Sequence, residues 1–217
     1  MLLHALAPVV PRAADTLGIP RTLPAGLGGV GLTFDDGPHP EGTPAVLDLL
    51  ARAGYRATFF LVGEQVERRP ELAREIVTQG HLVAVHGYRH RLQTRLSASQ
   101  LRADLDRALA TIEAATATRP EHHRPPYGVY SPAGLRLANS SGLKPLLWSR
   151  WGKDWRRFTT ARRIAARATR DLRAGDVILL HDADFYSARN SYRRTVEALR
   201  LIIAELERLQ IATVLPA

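Results

Sequence analysis

The sequence of 217 residues contains no cysteine, and only two of its 30 basic residues, Lys144 and Lys153, are lysine. Without cysteine, the protein cannot form disulfides, thiolate metal sites or iron–sulfur clusters, and it has no thiol nucleophile. Any metal ion must therefore be bound by histidine and carboxylate side chains.

Long apolar runs are absent as well. The longest nearly apolar stretches, Val177–Leu180 and Leu199–Ile203, are far shorter than the roughly 18 residues that a membrane-spanning helix needs. The composition, with 45% hydrophobic and 24% charged residues, is typical of a globular protein, and the length suits one domain with a sizeable core. We expect one folded unit without a transmembrane segment.

Acidic residues are outnumbered, 21 against 30, which gives a formal net charge of +9. Arg162, Arg163, Arg167 and Arg170 recur at helical spacing, a pattern typical of a solvated helix face. Attraction to an anionic polymer, such as a cell wall, a nucleic acid or a membrane surface, is the alternative. The sequence has no aromatic RNA-binding motif, zinc-finger spacing or basic heptads, so we expect no nucleic-acid partner.

Residues 1–27 differ from the rest of the chain. They contain four prolines without clear periodicity, and we expect a lead-in segment that packs along a domain formed by residues 28–217. The apolar run from Leu2 to Val10 is interrupted by His4 and Pro8 and follows no basic residue, which is not typical of a cleavable signal peptide.

From residue 28 onward, short apolar runs alternate with amphipathic stretches. The predicted strands are Val30–Thr33, Ala57–Leu61, Leu82–Val85, His122–Arg124, Pro145–Trp148, Val177–Leu180 and Ala212–Leu215. The predicted helices cover residues 43–53, 64–79, 98–117, 132–141, 160–173 and 193–209. This alternation predicts an α/β fold with a parallel sheet and crossover helices, and seven units favour a barrel over a small open sheet.

In such folds the carboxyl ends of the strands meet at one rim, where the chemistry takes place. Chemically capable side chains follow five of the predicted strands: Asp35 and Asp36, His86 and His90, Arg124 to Tyr127, Trp151 to Trp155, and His181. We expect these clusters to meet.

Each cluster also has a structural interpretation when it is taken alone. The stretch Asp35–Pro38 is a good turn, and His181 after an apolar strand is typical of a buried, hydrogen-bonded histidine. Arg124 could simply pair with a carboxylate. His86 and His90, four residues apart, can bind one metal ion on the same side of a helical turn. The ordered occurrence of all the clusters favours a functional interpretation.

These motifs resemble, over about residues 28–217, the polysaccharide deacetylases of carbohydrate esterase family 4, also called the NodB homology domain. The first motif, Thr33–Pro38, is the most specific of them. The resemblance implies a distorted (β/α)7-type barrel related to the TIM barrel. It also implies metal-dependent removal of N-acetyl groups from N-acetylglucosamine in a polymer, with peptidoglycan first and chitin-type oligomers or an exopolysaccharide next. We expect a monomer.

The resemblance assigns Asp36, His86 and His90 as ligands of one divalent metal, with Zn²⁺ preferred to Co²⁺, Ni²⁺ or Mn²⁺. It makes Asp35 the general base, and Arg124 is suited to keep that carboxylate ionised and oriented. Three protein ligands would leave coordination positions for water and substrate.

The same resemblance assigns the opposite side of the site. His181 would be the general acid, with Asp154 as its partner, and the backbone N–H of Tyr127 would stabilise the oxyanion. Trp155 and Leu179 would form a small apolar pocket for the acetyl methyl group, although such residues beside strands are often core residues.

One departure from the family pattern is Trp151, which occupies a position where the family usually has aspartate. It could reshape the substrate groove or provide a surface on which a sugar stacks. Alternative functions are hydrolysis of a small linear amide or cyclic imide, or non-catalytic glycan binding. The family usually works outside the cytoplasm or at the cell envelope. His39 is interpreted as a loop residue near the site.

Overall fold

The computed structural model describes residues 2–217, and within this range it contains eight strands and nine α-helices. The strands are β1 (Gly29–Asp35), β2 (Thr58–Leu61), β3 (Leu82–Val85), β4 (His122–His123), β5 (Lys144–Pro145), β6 (Arg150–Trp151), β7 (Val177–His181) and β8 (Ala212–Thr213). The helices are α1 (Leu2–Leu6), α2 (Pro11–Thr16), α3 (Gly42–Ala53), α4 (Gly63–Arg68), α5 (Pro70–Thr78), α6 (Ala98–Thr116), α7 (Pro132–Ser140), α8 (Ala161–Ala168) and α9 (Ser191–Leu209).

The strands pair in parallel in the order β5-β4-β3-β2-β1-β7-β6, and β8 pairs with the beginning of β1. Within residues 2–217, β5 and β6 are the two edges and do not pair with each other, so the sheet is a curled half-barrel. The predicted α/β barrel-type fold is confirmed.

The middle of the sheet is buried on both faces. All seven residues of β1 are buried, and the rings of Phe34 and Phe59 stack with centroids 5.2 Å apart between neighbouring strands. Parallel strands with helices on both faces have this apolar composition. As a result, the carboxyl end of β1, where Asp35 lies, is held between β2 and β7.

Most predicted helices are confirmed, with two changes in extent. α6 begins with the capping box formed by Ser97 and Gln100. The predicted helix over residues 64–79 is divided at Arg69, because the residue before a proline, here Pro70, is disfavoured in helical conformation. The predicted helix over residues 160–173 ends at Ala168.

The prediction of one strand over Pro145–Trp148 is wrong. The structure has two short edge strands here, β5 and β6, and residues 146–149 connect them. The chain leaves β4 after Pro145 and joins β7 at Ser149, whose N–H donates to the carbonyl of Val177. Strands β5 and β6 therefore have only two residues each. Strands this short produce no alternating pattern of apolar and polar residues, so the sequence does not predict them.

Residues 2–27 pack against this same region. The carbonyl of Pro20 accepts from the N–H of Leu147 at 2.8 Å, and Arg21 Nε donates to the carbonyl of Trp148 at 2.8 Å. The segment forms α1 and α2, which its aperiodic sequence did not predict. Across residues 2–217, none of the helices is both long and apolar enough to span a membrane.

Candidate active site

A pocket of about 350 Å³, hereafter the site pocket, opens at the carboxyl ends of the strands. It is lined by eight of the residues singled out from the sequence: Asp35, Asp36, His86, His90, Tyr127, Trp155, Leu179 and His181. Two others, Arg124 and Asp154, lie behind it and are completely buried. The strand-end clusters therefore meet at one rim, as expected from the sequence.

Asp36, His86 and His90 place one potential ligand atom each within 4.8 Å of one another. Asp36 Oδ1 lies 3.5 Å from His86 Nε2 and 3.3 Å from His90 Nε2. The Nδ1 of His86 is 2.8 Å from the carbonyl of Arg124, which can only accept a hydrogen bond. His86 Nδ1 therefore carries the proton, and its Nε2 lone pair faces Asp36.

The electrostatics of this group suit a divalent cation. Asp36 Oδ1 is buried and accepts no hydrogen bond from the described residues. Burial lowers the pKa of His90 to about 4, which leaves its imidazole neutral. Burial opposes ionisation of Asp36, but its interactions with His86, His181 and His90 lower the pKa of its carboxyl to about 2. One carboxylate and two neutral imidazoles are a common zinc-binding set.

The backbone at Asp36 is unusual because its φ is 81°, a value that residues other than glycine rarely adopt. Strained conformations of this kind cost about 1–3 kcal/mol and cluster at functional sites. The turn directs Asp35 and Asp36 into the same pocket from consecutive positions.

Asp35 is held by Arg124, whose Nη1 donates to Asp35 Oδ1 at 2.6 Å. Three further donors of the guanidinium bond the carbonyls of Leu146 and Leu147 and the hydroxyl of Thr33. Because these bonds fix the arginine in the core, Asp35 is also fixed. Its Oδ2 lies 3.9 Å from His86 Nε2, beside the three potential metal ligands.

The partly buried His181 pairs with the completely buried Asp154. Asp154 accepts from His181 Nδ1 at 2.9 Å, from the N–H of the same residue at 2.7 Å and from Thr195 Oγ1 at 2.8 Å. Burial alone would lower the pKa of His181, but the charge and hydrogen bond of Asp154, together with Asp36 and Asp35, raise it to about 10. Asp35 and His181 are register partners on β1 and β7, so they reach the pocket from adjacent strands.

Three tryptophans form a wall of the site pocket. The ring centroids of Trp148 and Trp151 are 5.6 Å apart, and those of Trp151 and Trp155 are 5.3 Å apart. Trp155 also contacts the ring of His181 edge-on at 5.5 Å. Leu179, the register partner of Trp151, lines the pocket beside them. Trp151 therefore lies in the wall itself.

Tyr127 lies on a tight turn at the pocket mouth. Its φ is 62°, and the residue is 57% exposed. The next residue must be glycine, because a Cβ on Gly128 would lie 2.4 Å from the ring of Trp148. The ring of Tyr127 contacts the ring of His90 edge-on, with centroids 4.6 Å apart.

Sequence reasoning missed several residues that line the pocket. The ring of Tyr186 stacks on that of His90 with centroids 4.2 Å apart, and its hydroxyl donates a hydrogen bond to Glu64. The sequence offered one indication of this position, an aromatic residue five positions after His181 at the end of a strand. Ala5, Pro8 and Val9 come from residues 2–27, where no pattern indicated them. His39 does not line the pocket, and its Nδ1 accepts from the backbone at the beginning of α3.

Comparisons with known proteins agree with this architecture. The family model described as polysaccharide deacetylase matches residues 25–146. A chitooligosaccharide deacetylase from Bradyrhizobium sp. (strain ANU 289) is 36% identical over 191 residues, which cover 85% of this chain and 87% of that protein.

Solved structures give the same result. The crystal structure of a peptidoglycan N-acetylglucosamine deacetylase matches with a TM-score of 0.84 and 28% identity, covering 93% of this chain and 92% of that one. A pseudoenzyme of carbohydrate esterase family 4 from Bacillus anthracis matches with a TM-score of 0.79 and 26% identity, covering 89% of this chain and 65% of that one. By sequence and by fold, the chain belongs to the polysaccharide deacetylases of carbohydrate esterase family 4.

Proposed function

We propose that this chain is a metal-dependent hydrolase that removes N-acetyl groups from N-acetylglucosamine residues of a polysaccharide and releases acetate. The observation that carries the proposal is the convergence of Asp36, His86 and His90 beside Asp35, with His181 on the adjacent strand. Because a pseudoenzyme shares the fold, the fold alone does not support hydrolysis, whereas these chemical groups do.

Asp36, His86 and His90 would hold one divalent ion. When bound, Zn²⁺ or a similar ion polarises the acetyl carbonyl and makes water reactive near neutral pH. The buried Oδ1 of Asp36, which accepts no hydrogen bond from the described residues, supports this assignment because an uncompensated carboxylate oxygen is costly to bury.

Asp35 would act as the general base. Arg124 occupies its Oδ1, which leaves Oδ2 on the side of His86 to accept a proton from the attacking water. The water oxygen forms a bond to the acetyl carbon, and the carbon–nitrogen bond then breaks. The buried ion pair keeps the carboxylate in one orientation throughout.

His181 would be the general acid that gives a proton to the departing nitrogen. An amine leaves far more readily than an amide anion, so the histidine must be protonated when the bond breaks. A pKa of about 10 keeps it protonated at neutral pH, and Asp154 and Thr195 fix its orientation. The products are acetate and a free amino group on the sugar.

Two further roles complete the proposal. The backbone N–H of Tyr127 would donate to the oxyanion that develops on the acetyl oxygen. Trp155 and Leu179 would contact the acetyl methyl group, and the short distance between Trp155 and His181 limits the size of the acyl group. A longer acyl chain would collide with this wall.

Residues 28–217 would form the catalytic domain, with residues 1–27 as a segment that completes its pocket. Pro8 and Val9 line the site pocket, which supports this division of roles. Among polymers, peptidoglycan is favoured and chitin-type oligomers come second. The net charge of +9 suits an anionic cell wall.

The test is acetate release by the purified protein from chitooligosaccharides and from peptidoglycan fragments. We expect release that stops after treatment with a chelator and returns when Zn²⁺ is added. Zinc content is measured on the same samples. A protein that binds one zinc ion but releases no acetate from any sugar would contradict the proposal, and activity on a small amide would then indicate the alternative hydrolase.

A further inference from the structure

A second concavity, hereafter the Arg95 groove, lies beside the site pocket. It has a volume of about 520 Å³ and is lined by His90, Arg91, Leu92, Arg95, Leu96 and Tyr127. His90 and Tyr127 line both the groove and the site pocket, so the two concavities adjoin at these side chains. A polymer with one sugar in the pocket can therefore place a neighbouring sugar in the groove.

The groove has a cationic rim. Two of its six lining residues are arginines, and none of them is acidic. Arg91 is partly neutralised, because its Nη2 donates to Asp104 at 2.8 Å. Arg95 is exposed and forms no ion pair with any of residues 2–217. Its positive charge is thus available to a ligand.

The other lining residues are suited to a sugar ring. Leu92 and Leu96 provide an apolar surface, and the exposed ring of Tyr127 provides an aromatic face. Sugar rings pack their C–H faces on such surfaces. An apolar surface beside an unpaired guanidinium fits a saccharide that carries an anionic substituent better than a neutral one.

We propose that the Arg95 groove binds the saccharide next to the one that is deacetylated, and that Arg95 recognises a carboxylate on it. This inference rests on the proposed function and adds a determinant of substrate class. In peptidoglycan, every second sugar carries a lactyl group whose carboxyl is free and anionic where no peptide is attached to it, whereas the N-acetylated sugars of a chitooligosaccharide are neutral. The groove would therefore favour glycan strands with a free carboxylate.

The test compares two forms of one substrate: glycan strands with free lactyl carboxylates, and the same strands with each carboxylate converted to a methylamide. Acetate release gives kcat/KM for each form, and the ratio of the two values measures charge recognition. For Arg95→Gln we expect this ratio to fall about threefold to fivefold, the size of an exposed ion pair. The fall should be smaller at high salt, which screens such pairs.

Two variants control the measurement. Arg95→Lys keeps the charge and should restore most of the ratio. Arg200→Gln removes an exposed arginine from α9, outside the groove, and should leave the ratio unchanged. If Arg200→Gln lowers the ratio as much as Arg95→Gln does, the effect comes from net charge and the proposal is wrong.

The remaining outcomes separate this inference from the proposed function. Suppose that the wild-type protein deacetylates both forms. If Arg95→Gln then leaves the ratio of the two kcat/KM values unchanged, the groove does not recognise a carboxylate. If the wild-type protein deacetylates neither form and no chitooligosaccharide, the proposed function fails, and this inference fails with it.

Discussion

The floor of the site pocket and its walls are constructed in different ways. The floor consists of Asp35, Asp36, His86 and His181, which lie at the ends of central strands or directly after them. Three of these side chains, those of Asp35, His86 and His181, are each held by a hydrogen bond to a fixed partner. The walls come from the N-terminal segment, the region of the edge strands and the loop after β7.

The walls are held mainly by packing between aromatic rings, and several of their residues are partly exposed. Small shifts there change the shape of the pocket without moving the polar groups of the floor. Under the proposed function, we expect the floor to determine the reaction and the walls to determine which substrate fits. Changes in the floor should lower kcat, whereas changes in the walls should act mainly through KM.

The largest expected effect is at Asp35. Asp35→Asn removes the proposed general base but leaves Asp36, His86 and His90 in place, so we expect kcat to fall by roughly 10²–10⁴. Zinc content should remain at one ion per chain, whereas Asp36→Ala should lose both zinc and activity. Acetate release and metal analysis on the same preparations check this. Full activity in Asp35→Asn would refute the assigned base.

A smaller effect is expected from Asp154→Asn, which acts through His181. The negative charge of Asp154 raises the pKa of His181, so its loss should lower that pKa. Because the general acid works while protonated, activity is lost as pH rises through its pKa. The alkaline limb of the kcat profile should therefore move to lower pH, with kcat roughly 10–100-fold lower at neutral pH.

A pH–rate profile of the wild type beside the variant tests this assignment. Asp184→Asn, at a carboxylate paired with His39, serves as the control and should leave the limb in place. An alkaline limb that does not move in Asp154→Asn would assign the acid role to another group.

The floor could be predicted from the sequence because its signal is local. An apolar run followed by a reactive side chain marks the carboxyl end of a buried strand, as at Asp35, His86 and His181. The roles expected of Arg124 beside Asp35 and of Asp154 beside His181 came with the family resemblance. Their burial and bonding partners needed the structure.

The walls could not be predicted in the same way because they depend on contacts between distant segments. β6 is two residues long, and Trp151 reaches the wall through its pairing with Leu179. Val9 belongs to a segment whose position depends on hydrogen bonds from Leu147 and Arg21. None of these contacts leaves a periodic pattern in the sequence.

Substitutions at Trp151 test directly whether the tryptophan wall contributes to substrate binding. Trp151→Ala removes the middle ring of the three tryptophans, and we expect KM for oligosaccharides to rise about threefold to tenfold with little change in kcat. Trp151→Phe keeps an aromatic face and should lie close to the wild type. Steady-state kinetics on chitooligosaccharides and on peptidoglycan fragments also reveal whether the preference between them changes. A fall in kcat with unchanged KM would mean that this wall residue takes part in the chemistry.

The smallest expected effect is at Val9. This residue is 52% exposed and lines the pocket. It belongs to the N-terminal segment, for which the sequence predicts only a lead-in to the domain. Val9→Ser should raise KM by less than about threefold, because only a small apolar area is lost. Val10→Ser is the matched control, since Val10 is 38% exposed on the same segment but does not line the pocket. Equal KM values for the two variants would show that the N-terminal segment is outside the substrate path. A rise confined to Val9→Ser would make the segment part of the wall that selects the substrate.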